Sequence, residues 1–267
     1  MQEILEVCSA VTIATPAESH FEIAIRALEK NCHVFIEKPI TTNLPDAEKI
    51  IALAKQKKLL VQVGHIERFN PAFVQLLQKP NINSVKFIES ERLAPFNVRG
   101  LDVDVVLDLM IHDIDLILQL KRCDVKNIEA LGVNVLSDTI DLANARIVFE
   151  DNSVANLTAS RISDTAIRKL RVFNNQQYIS IDLQQPTINT YAVKKQLSSD
   201  NATKMIFSSN NKFIVHQKEN VLQQNALYEE LVSFITSIQK KQETLVDACA
   251  GRDAIKIALA IQEKINE

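Results

Sequence analysis

The chain has 267 residues, 46% of them hydrophobic and 24% charged, and a formal net charge of −3. That balance is ordinary for a globular protein of about two domains at roughly 100–200 residues each, and it excludes a strongly basic nucleic-acid footprint. No apolar run approaches the roughly 18 residues of a membrane span, and the start, MQEILEVCSA, lacks the basic and apolar stretches of a signal peptide. No nucleic-acid or membrane partner is expected, and the chain is read as cytoplasmic.

Met1–Ser9 reads as a helix and Val11–Ala14 as a short buried strand that ends at Thr15-Pro16. Ser19–Asn31 is helical, with Phe21, Ala24, Ile25 and Leu28 on one face. Val34–Ile36 is a second buried strand, followed by Glu37-Lys38-Pro39. Leu44–Lys57 is an amphipathic helix with Ala47, Ile50, Ile51 and Ala54 on its stripe, and Leu60–Val63 is a third strand ending at Gly64-His65. Short apolar strands alternating with helices predict a parallel sheet covered on both faces. The character changes at 67–71, where Asn70 is a good N-cap and Pro71 a good first helical residue. A strand near Ser84–Arg92, a polar loop and an apolar helix around Asp104–Leu120 follow.

From Ile128 to about Gln217 strand follows strand. Ala145–Phe149 and Val154–Ala159 flank the hairpin turn Glu150–Ser153, and Arg168–Phe173, Tyr178–Leu183 and Ile188–Val193 continue the pattern. This predicts a large, mostly antiparallel sheet, with Ser198–Asn211 a polar, mobile segment at its edge. Helices return from Leu222, with Leu227, Leu231, Phe234, Ile235 and Ile238 at helical spacing, and end on Asp253–Ile265. The fold class is α/β plus α+β, divided into a parallel-sheet domain over 1–66 and a helix-and-large-sheet domain over 67–267.

Four cysteines, Cys8, Cys32, Cys123 and Cys249, lie far apart with no CxxC pair. They fit the thiols of a reducing compartment, not a disulfide framework or a zinc knuckle. There are only four glycines, Gly64, Gly100, Gly132 and Gly251, where average usage gives about nineteen. No two are close enough to cradle a phosphate, so no GxGxxG or Walker motif is present.

Lys38 directly follows a buried strand and precedes a proline. Ligands of open α/β sheets bind beyond the carboxyl ends of the strands, where an ammonium would serve a developing alkoxide or a cofactor carboxamide. An ordinary exposed strand-exit lysine is the commoner occupant of such a place. Asp108 and His112, spaced i, i+4, share a helix face, with Asp115 one turn further, inside a helix that is otherwise apolar. A histidine beside a carboxylate is a natural proton acceptor; a hydrogen-bonded core histidine is equally open. No HExxH-type pattern marks a metal site, and none is expected.

His65 and Arg68 either line the mouth of the same crevice or form a linker pair bonded to backbone carbonyls. Thr15, Pro16 and His20 form a strand-to-helix turn in which Thr15 or Ser19 caps the helix, and a capped helix start also takes phosphate. Arg92, Arg99 and Arg161 have the fork that pairs with phosphate, although scattered surface arginines are the default. Cys32, His33 and His216 are read as structural.

Taken together, these motifs resemble one family. The run from VTIATPAESH through VFIEKPI to GHIERFNPAF is similar to the second half of the Rossmann domain of the glucose–fructose oxidoreductase, inositol dehydrogenase and MocA family, with Glu37-Lys38-Pro39 as its hallmark. VVLDLMIHDIDLIL resembles that family's Asp-x-x-x-His helix, and the tail from ALYEELVSF resembles its C-terminal region. The resemblance covers nearly the whole chain. It implies an incomplete Rossmann-type sheet followed by a substrate-binding and oligomerisation domain, and hydride transfer between a sugar carbinol carbon and NAD or NADP. The cofactor would carry the chemistry while the protein aligns it and moves the proton.

Carried over by residue, the resemblance makes Lys38 the catalytic or substrate-positioning lysine, His112 the general base, and Asp108 a contact to the sugar hydroxyl or a tuner of His112. Thr15, Pro16, His20, Glu37 and Lys38 would line the nicotinamide half of the cofactor site, with Arg68 near the nicotinamide or its phosphates. The Lys38–Pro39 bond is expected to be cis, a form that only X-Pro bonds take cheaply. GHIERFNPA followed by RGLDVDVVLDLMIHDIDLIL is similar to a nucleotide-sugar branch, the UDP-N-acetylglucosamine 3-dehydrogenase group, in which Arg92, Arg99 or Arg161 would meet the diphosphate. A homo-oligomer, dimer or tetramer, associating through the outer face of the large sheet is also implied.

The family normally opens with a strand, a GxGxxG loop, a helix and a second strand whose end reads the adenosine ribose. A βαβ unit is about 30 residues, so roughly 60 residues of the pattern are expected before Met1. The chain by itself is expected to hold the cofactor weakly, with Val11–Ala14 as an edge strand, and the choice between NAD and NADP is not set. Two other readings remain: a non-catalytic scaffold oligomerising through the sheet domain, and a dehydrogenase of free sugars or inositol.

Overall fold

The computed structural model describes residues 2–97, 103–175, 177–195, 203–209 and 212–267. In chain order the elements are α1 (Gln2–Val7), β1 (Ala10–Ile13), α2 (His20–Glu29), β2 (His33–Glu37), α3 (Leu44–Lys57), β3 (Val61–Gly64), α4 (Pro71–Leu77), β4 (Phe87–Pro95), α5 (Ile111–Lys121), β5 (Val125–Val133), β6 (Leu142–Phe149), β7 (Val154–Ser163), β8 (Ile167–Phe173), β9 (Gln177–Asp182), β10 (Thr187–Lys194), β11 (Thr203–Ser209), β12 (Lys212–Asn220), α6 (Ala226–Lys240) and α7 (Ala248–Asn266). They divide into two compact units, 1–69 with 225–263, and 70–224 with 264–267.

The first unit is built on three parallel strands in the order β1-β2-β3. A parallel pair needs a crossover, and α2 and α3 supply the two. Val34, Phe35, Ile36, Val61 and Val63 are buried in the strands, Ala24, Ala27 and Leu28 on α2, and Ala47, Ile50 and Ala54 on α3. Asn43 caps α3 by accepting the Asp46 N–H at 3.0 Å, and the helix stops at Lys58 in the left-handed region with φ 55°.

The two C-terminal helices belong to this unit, whereas the sequence division placed all of 67–267 together. The Phe35 and Phe234 rings meet edge-on at 5.9 Å. Gly251 on α7 lies against β3 so closely that a Cβ there would be 2.6 Å from Val63 Cγ2. α7 also starts earlier than its apolar stripe implies, because Asp247 accepts the Ala250 N–H at 2.8 Å.

The second unit carries nine strands in the order β11-β12-β10-β9-β8-β4-β7-β6-β5. Every pair is antiparallel except β4 with β7. Side chains alternate across the pleat: Ile88, Leu157, Leu170, Ile179, Ile181 and Ile188 fill the inner face. Asn70 caps α4 by accepting the Ala72 N–H at 3.1 Å, while its own amide donates to Leu183 O at 2.8 Å. Asn152, with φ 58°, makes the predicted β6–β7 turn.

Two segments differ from expectation. The stretch Asp104–Leu120 is not one α-helix: Val106–Met110 forms a π-helical turn before α5, and the Ile111 N–H reaches back five residues to Val106 O. Asp104 starts it, its Oδ1 accepting from the N–H groups of Val106 at 3.0 Å and Leu107 at 3.1 Å. Within Ser198–Asn211, residues 203–209 are strand β11, paired with β12; the rest of that segment lies outside the described residues. No described helix is long and apolar enough to cross a membrane.

Candidate functional site

The carboxyl ends of the parallel strands hold the first group of candidate residues, at the edge where open α/β sheets bind ligands. β1 leads into Thr15 and Pro16, both exposed, and β2 into Glu37 and Lys38, both half-buried. The Lys38–Pro39 bond is cis, as the sequence comparison led us to expect. β3 ends at Gly64, the register partner of Glu37. A Cβ on Gly64 would lie 2.7 Å from Glu37 Oε2 and 3.1 Å from Glu37 Cα, so the missing side chain is what lets the glutamate lie across the end of β3. Burial pushes the Glu37 carboxyl up, opposed by a hydrogen bond from the Lys38 backbone and by the charges of Lys38 and His20.

His20, expected at the cofactor surface, is 1% exposed. Its Nδ1 lies 2.8 Å from Pro39 O and its Nε2 2.8 Å from Thr15 O. Both ring nitrogens are committed to the backbone, so His20 shapes this edge of the sheet and does not line it. His65 and Arg68 are also buried, Arg68 in a short 3₁₀ turn over Ile66–Phe69.

The second group sits in the other unit. Asp108 lies in the π turn and His112 in the first turn of α5, both half-buried. A π turn carries an extra residue, so the one-face relation expected of i, i+4 in a regular α-helix does not transfer. Such turns inside helices are frequent at functional sites. Asp115 is buried on the same helix.

The arginines are not free anion forks. Arg92 turns inward from β4 and holds Asp113, the neighbour of His112, through Nε to Oδ2 at 3.1 Å and Nη2 to Oδ1 at 2.8 Å; the side chains are 4% and 3% exposed. Arg161 donates from Nε to Asp141 Oδ1 at 2.9 Å, from Nη1 to Val103 O at 2.8 Å, and from Nη2 to Ser137 Oγ at 3.1 Å and to Thr139 Oγ1. Both assignments to a substrate diphosphate are therefore corrected: these guanidiniums are internal struts. Arg99 lies outside the described residues.

Asp141 is the hub of the second strut. Its Oδ2 accepts the N–H groups of Val135, Leu136 and Ser137 at 2.8, 2.6 and 3.0 Å. Burial opposes its charge, but hydrogen bonds from Ser137, from the Leu136 and Val135 backbone and from Arg161 overcome it and hold the carboxyl well below the usual carboxylate range. The hub fixes the approach to the π turn, through Arg161 on Val103 O and the Val105 N–H on Ile140 O at 3.0 Å. Sequence reasoning missed both partners. The alternation of β4 and β7 was the available signal, since Arg92 shares a face with Ile88 and Arg161 with Leu157.

A family model described as an oxidoreductase family with an NAD-binding Rossmann fold, that of the glucose–fructose oxidoreductase, inositol dehydrogenase and MocA proteins, matches residues 1–65. The UDP-N-acetylglucosamine 3-dehydrogenase of Acidithiobacillus ferrooxidans is 32% identical over 259 residues, which cover 97% of this chain and 79% of that protein. A solved structure of that enzyme superposes with a TM-score of 0.88 at 31% identity, over 99% of this chain and 80% of the other. The scyllo-inositol dehydrogenase of Lactobacillus casei, solved with NAD(H) and scyllo-inositol, gives a TM-score of 0.75 at 23% identity, over 99% and 80% of the two chains, a likeness of fold.

Proposed function

Since the chain belongs to the glucose–fructose oxidoreductase, inositol dehydrogenase and MocA family of NAD-binding oxidoreductases, we propose that it is a nucleotide-sugar dehydrogenase that oxidises the 3-hydroxyl of UDP-N-acetylglucosamine. The observation that carries this substrate is the 32% identity to the Acidithiobacillus enzyme across 97% of the chain, against 22% to a Thermotoga maritima myo-inositol 2-dehydrogenase over the same share.

The donor set at the strand ends fits the nicotinamide and ribose end of NAD or NADP: the exposed Thr15 and Pro16, the carboxylate of Glu37 and the ammonium of Lys38 offer the hydrogen-bonding types that a carboxamide and ribose hydroxyls take. Neither strand-to-helix turn of this sheet contains a glycine, so these residues do not fit a pyrophosphate cradle. Bound there, the nicotinamide would supply the acceptor for the hydride of the sugar carbon. Lys38 holds positive charge beside the reacting oxygen, which favours the alkoxide character that develops there. His112 takes the hydroxyl proton on a ring nitrogen, and Asp108 either contacts the sugar hydroxyl or tunes that histidine. Residues 1–69 with 225–263 supply the cofactor side of this reaction, and 70–224 supply substrate binding and assembly.

A second copy of the chain packs on the outer face of the nine-stranded sheet in this reading. Support comes from a row of half-exposed rings across five strands, Phe87, Phe173, Tyr178, Tyr191 and His216, with successive centroids 5.5, 4.6, 5.1 and 4.5 Å apart. The four free cysteines support a reducing, cytoplasmic setting. The test is kinetic: Lys38→Ala and His112→Ala should each lower kcat about 10²–10⁴-fold, while fluorescence titration shows the NADH affinity of His112→Ala equal to that of the unaltered chain. Full turnover in either variant overturns that residue's role.

A further inference from the structure

Both partners of the His20 ring are backbone carbonyl oxygens, Thr15 O and Pro39 O, each at 2.8 Å. A carbonyl only accepts, and a neutral imidazole has one N–H. The neutral ring can satisfy one carbonyl and must face the other lone pair to lone pair, whereas the imidazolium donates to both. The two carbonyls lie just past the carboxyl ends of β1 and β2, and Pro39 directly follows Lys38. The ring is therefore a tie across adjacent strand ends, fixed on the residue beside the lysine.

We propose that His20 is a positioning residue: its ring, bridging Pro39 O and Thr15 O, fixes the backbone at Lys38-Pro39 against that at Thr15 and so sets the aim of the Lys38 ammonium. This rests on the reading of Lys38 given above. The groups that bear on the ring are Glu37, its counter-charge, and Lys38 from the end of β2. Glu18 lies in the 3₁₀ turn before it. Glu22 and Arg26 are paired with each other on α2, and Lys49 of α3 lies over the Phe21 ring. β1 brings no titratable side chain.

The experiment uses the full chain and needs no turnover. Ring nitrogens of ¹⁵N-labelled histidine are followed together with ¹³C-methylated lysines, Lys38 being assigned with Lys38→Arg. The expected result is that both His20 ring nitrogens report a hydrogen bond, and that the Lys38 signal in His20→Phe, which keeps a ring and removes both nitrogens, sits away from wild type. A His20 ring nitrogen with no hydrogen bond, or a Lys38 signal in folded His20→Phe that coincides with wild type, overturns the proposal; His20→Gln, which keeps one polar contact, should fall between the two. With turnover established, kcat in His20→Phe should fall about 100-fold with KM within about threefold. A chain without turnover defeats the catalytic reading alone, because both spectra still report on the tie.

Discussion

Replacing Arg92 by Met removes a buried guanidinium and leaves Asp113 inside the protein with no counter-charge from β4. The structure sets the size of the effect. Two charge-assisted bonds, at 2.8 and 3.1 Å, join side chains that are 4% and 3% exposed, so solvent neither screens the pair nor replaces it. Breaking a buried pair by deleting one partner typically costs about 3–5 kcal/mol, whereas replacing both with apolar groups of similar volume is often close to neutral. Arg92→Met should therefore lower stability by roughly 3–5 kcal/mol, and Arg92→Met with Asp113→Leu should recover most of that loss. Urea unfolding reports the total. Amide exchange along α5 reports whether the loss is local to the helix that carries His112, and protection there should drop in the single variant and return in the double. A single variant costing less than about 1 kcal/mol, or a double variant no better than the single, would refute the argument that an unpaired buried charge dominates.

Gly251→Ala gains helix propensity of about 1 kcal/mol, yet its Cβ would fall 2.6 Å from Val63 Cγ2. Overpacking by about 1–3 kcal/mol should win, and Val63→Ala in the same chain should relieve it; a more stable single variant in thermal melts contradicts this. Two groups contribute to the acid limb of stability. Burial lowers the folded pKa of His33, whose Nδ1 accepts the Leu60 N–H at 2.9 Å. Its contribution is therefore present above the unfolded value of about 6.5 and is lost as pH falls below it. Asp141 is depressed, so its contribution is present above about pH 4 and is lost on further acidification. His33→Asn should flatten the first descent in a melting-temperature profile, and an unchanged slope rejects the assignment. Tyr191→Ala interrupts the ring row between Tyr178 and His216 and should shift sedimentation toward the monomer; an unaltered assembly shows that the row is not the contact.

Local signals carried much of the fold. Apolar runs bounded by breakers located β1 to β3, Asn70 capped the helix it precedes, and Asn152 turned its hairpin. Legibility ended where partners are distant in the chain. Arg92 and Asp113 are 21 residues apart, His20 and Pro39 19, and Gln62 bonds Glu230 O across 168, so pairing came only with the three-dimensional register. The π turn at Val106–Met110 escaped because its apolar residues also satisfy an α-helical stripe. β11 escaped because an edge strand need not show the alternation of a half-buried one. At the candidate site Lys38, Asp108 and His112 stood out by position, whereas their proposed roles, and that of Glu37, rest on the family resemblance. The inward direction of Arg92 and Arg161 followed from strand alternation, which outweighs the usual preference of arginine for the surface.

The central claim is the identity of the hydride donor. UDP-N-acetylglucosamine deuterated at sugar carbon 3, incubated with the protein and NAD or NADP, should deliver its deuterium to the reduced nicotinamide and leave a ketone at that carbon, both read by mass spectrometry. Reduced cofactor free of deuterium, or transfer only from an unlinked polyol such as scyllo-inositol, would contradict it.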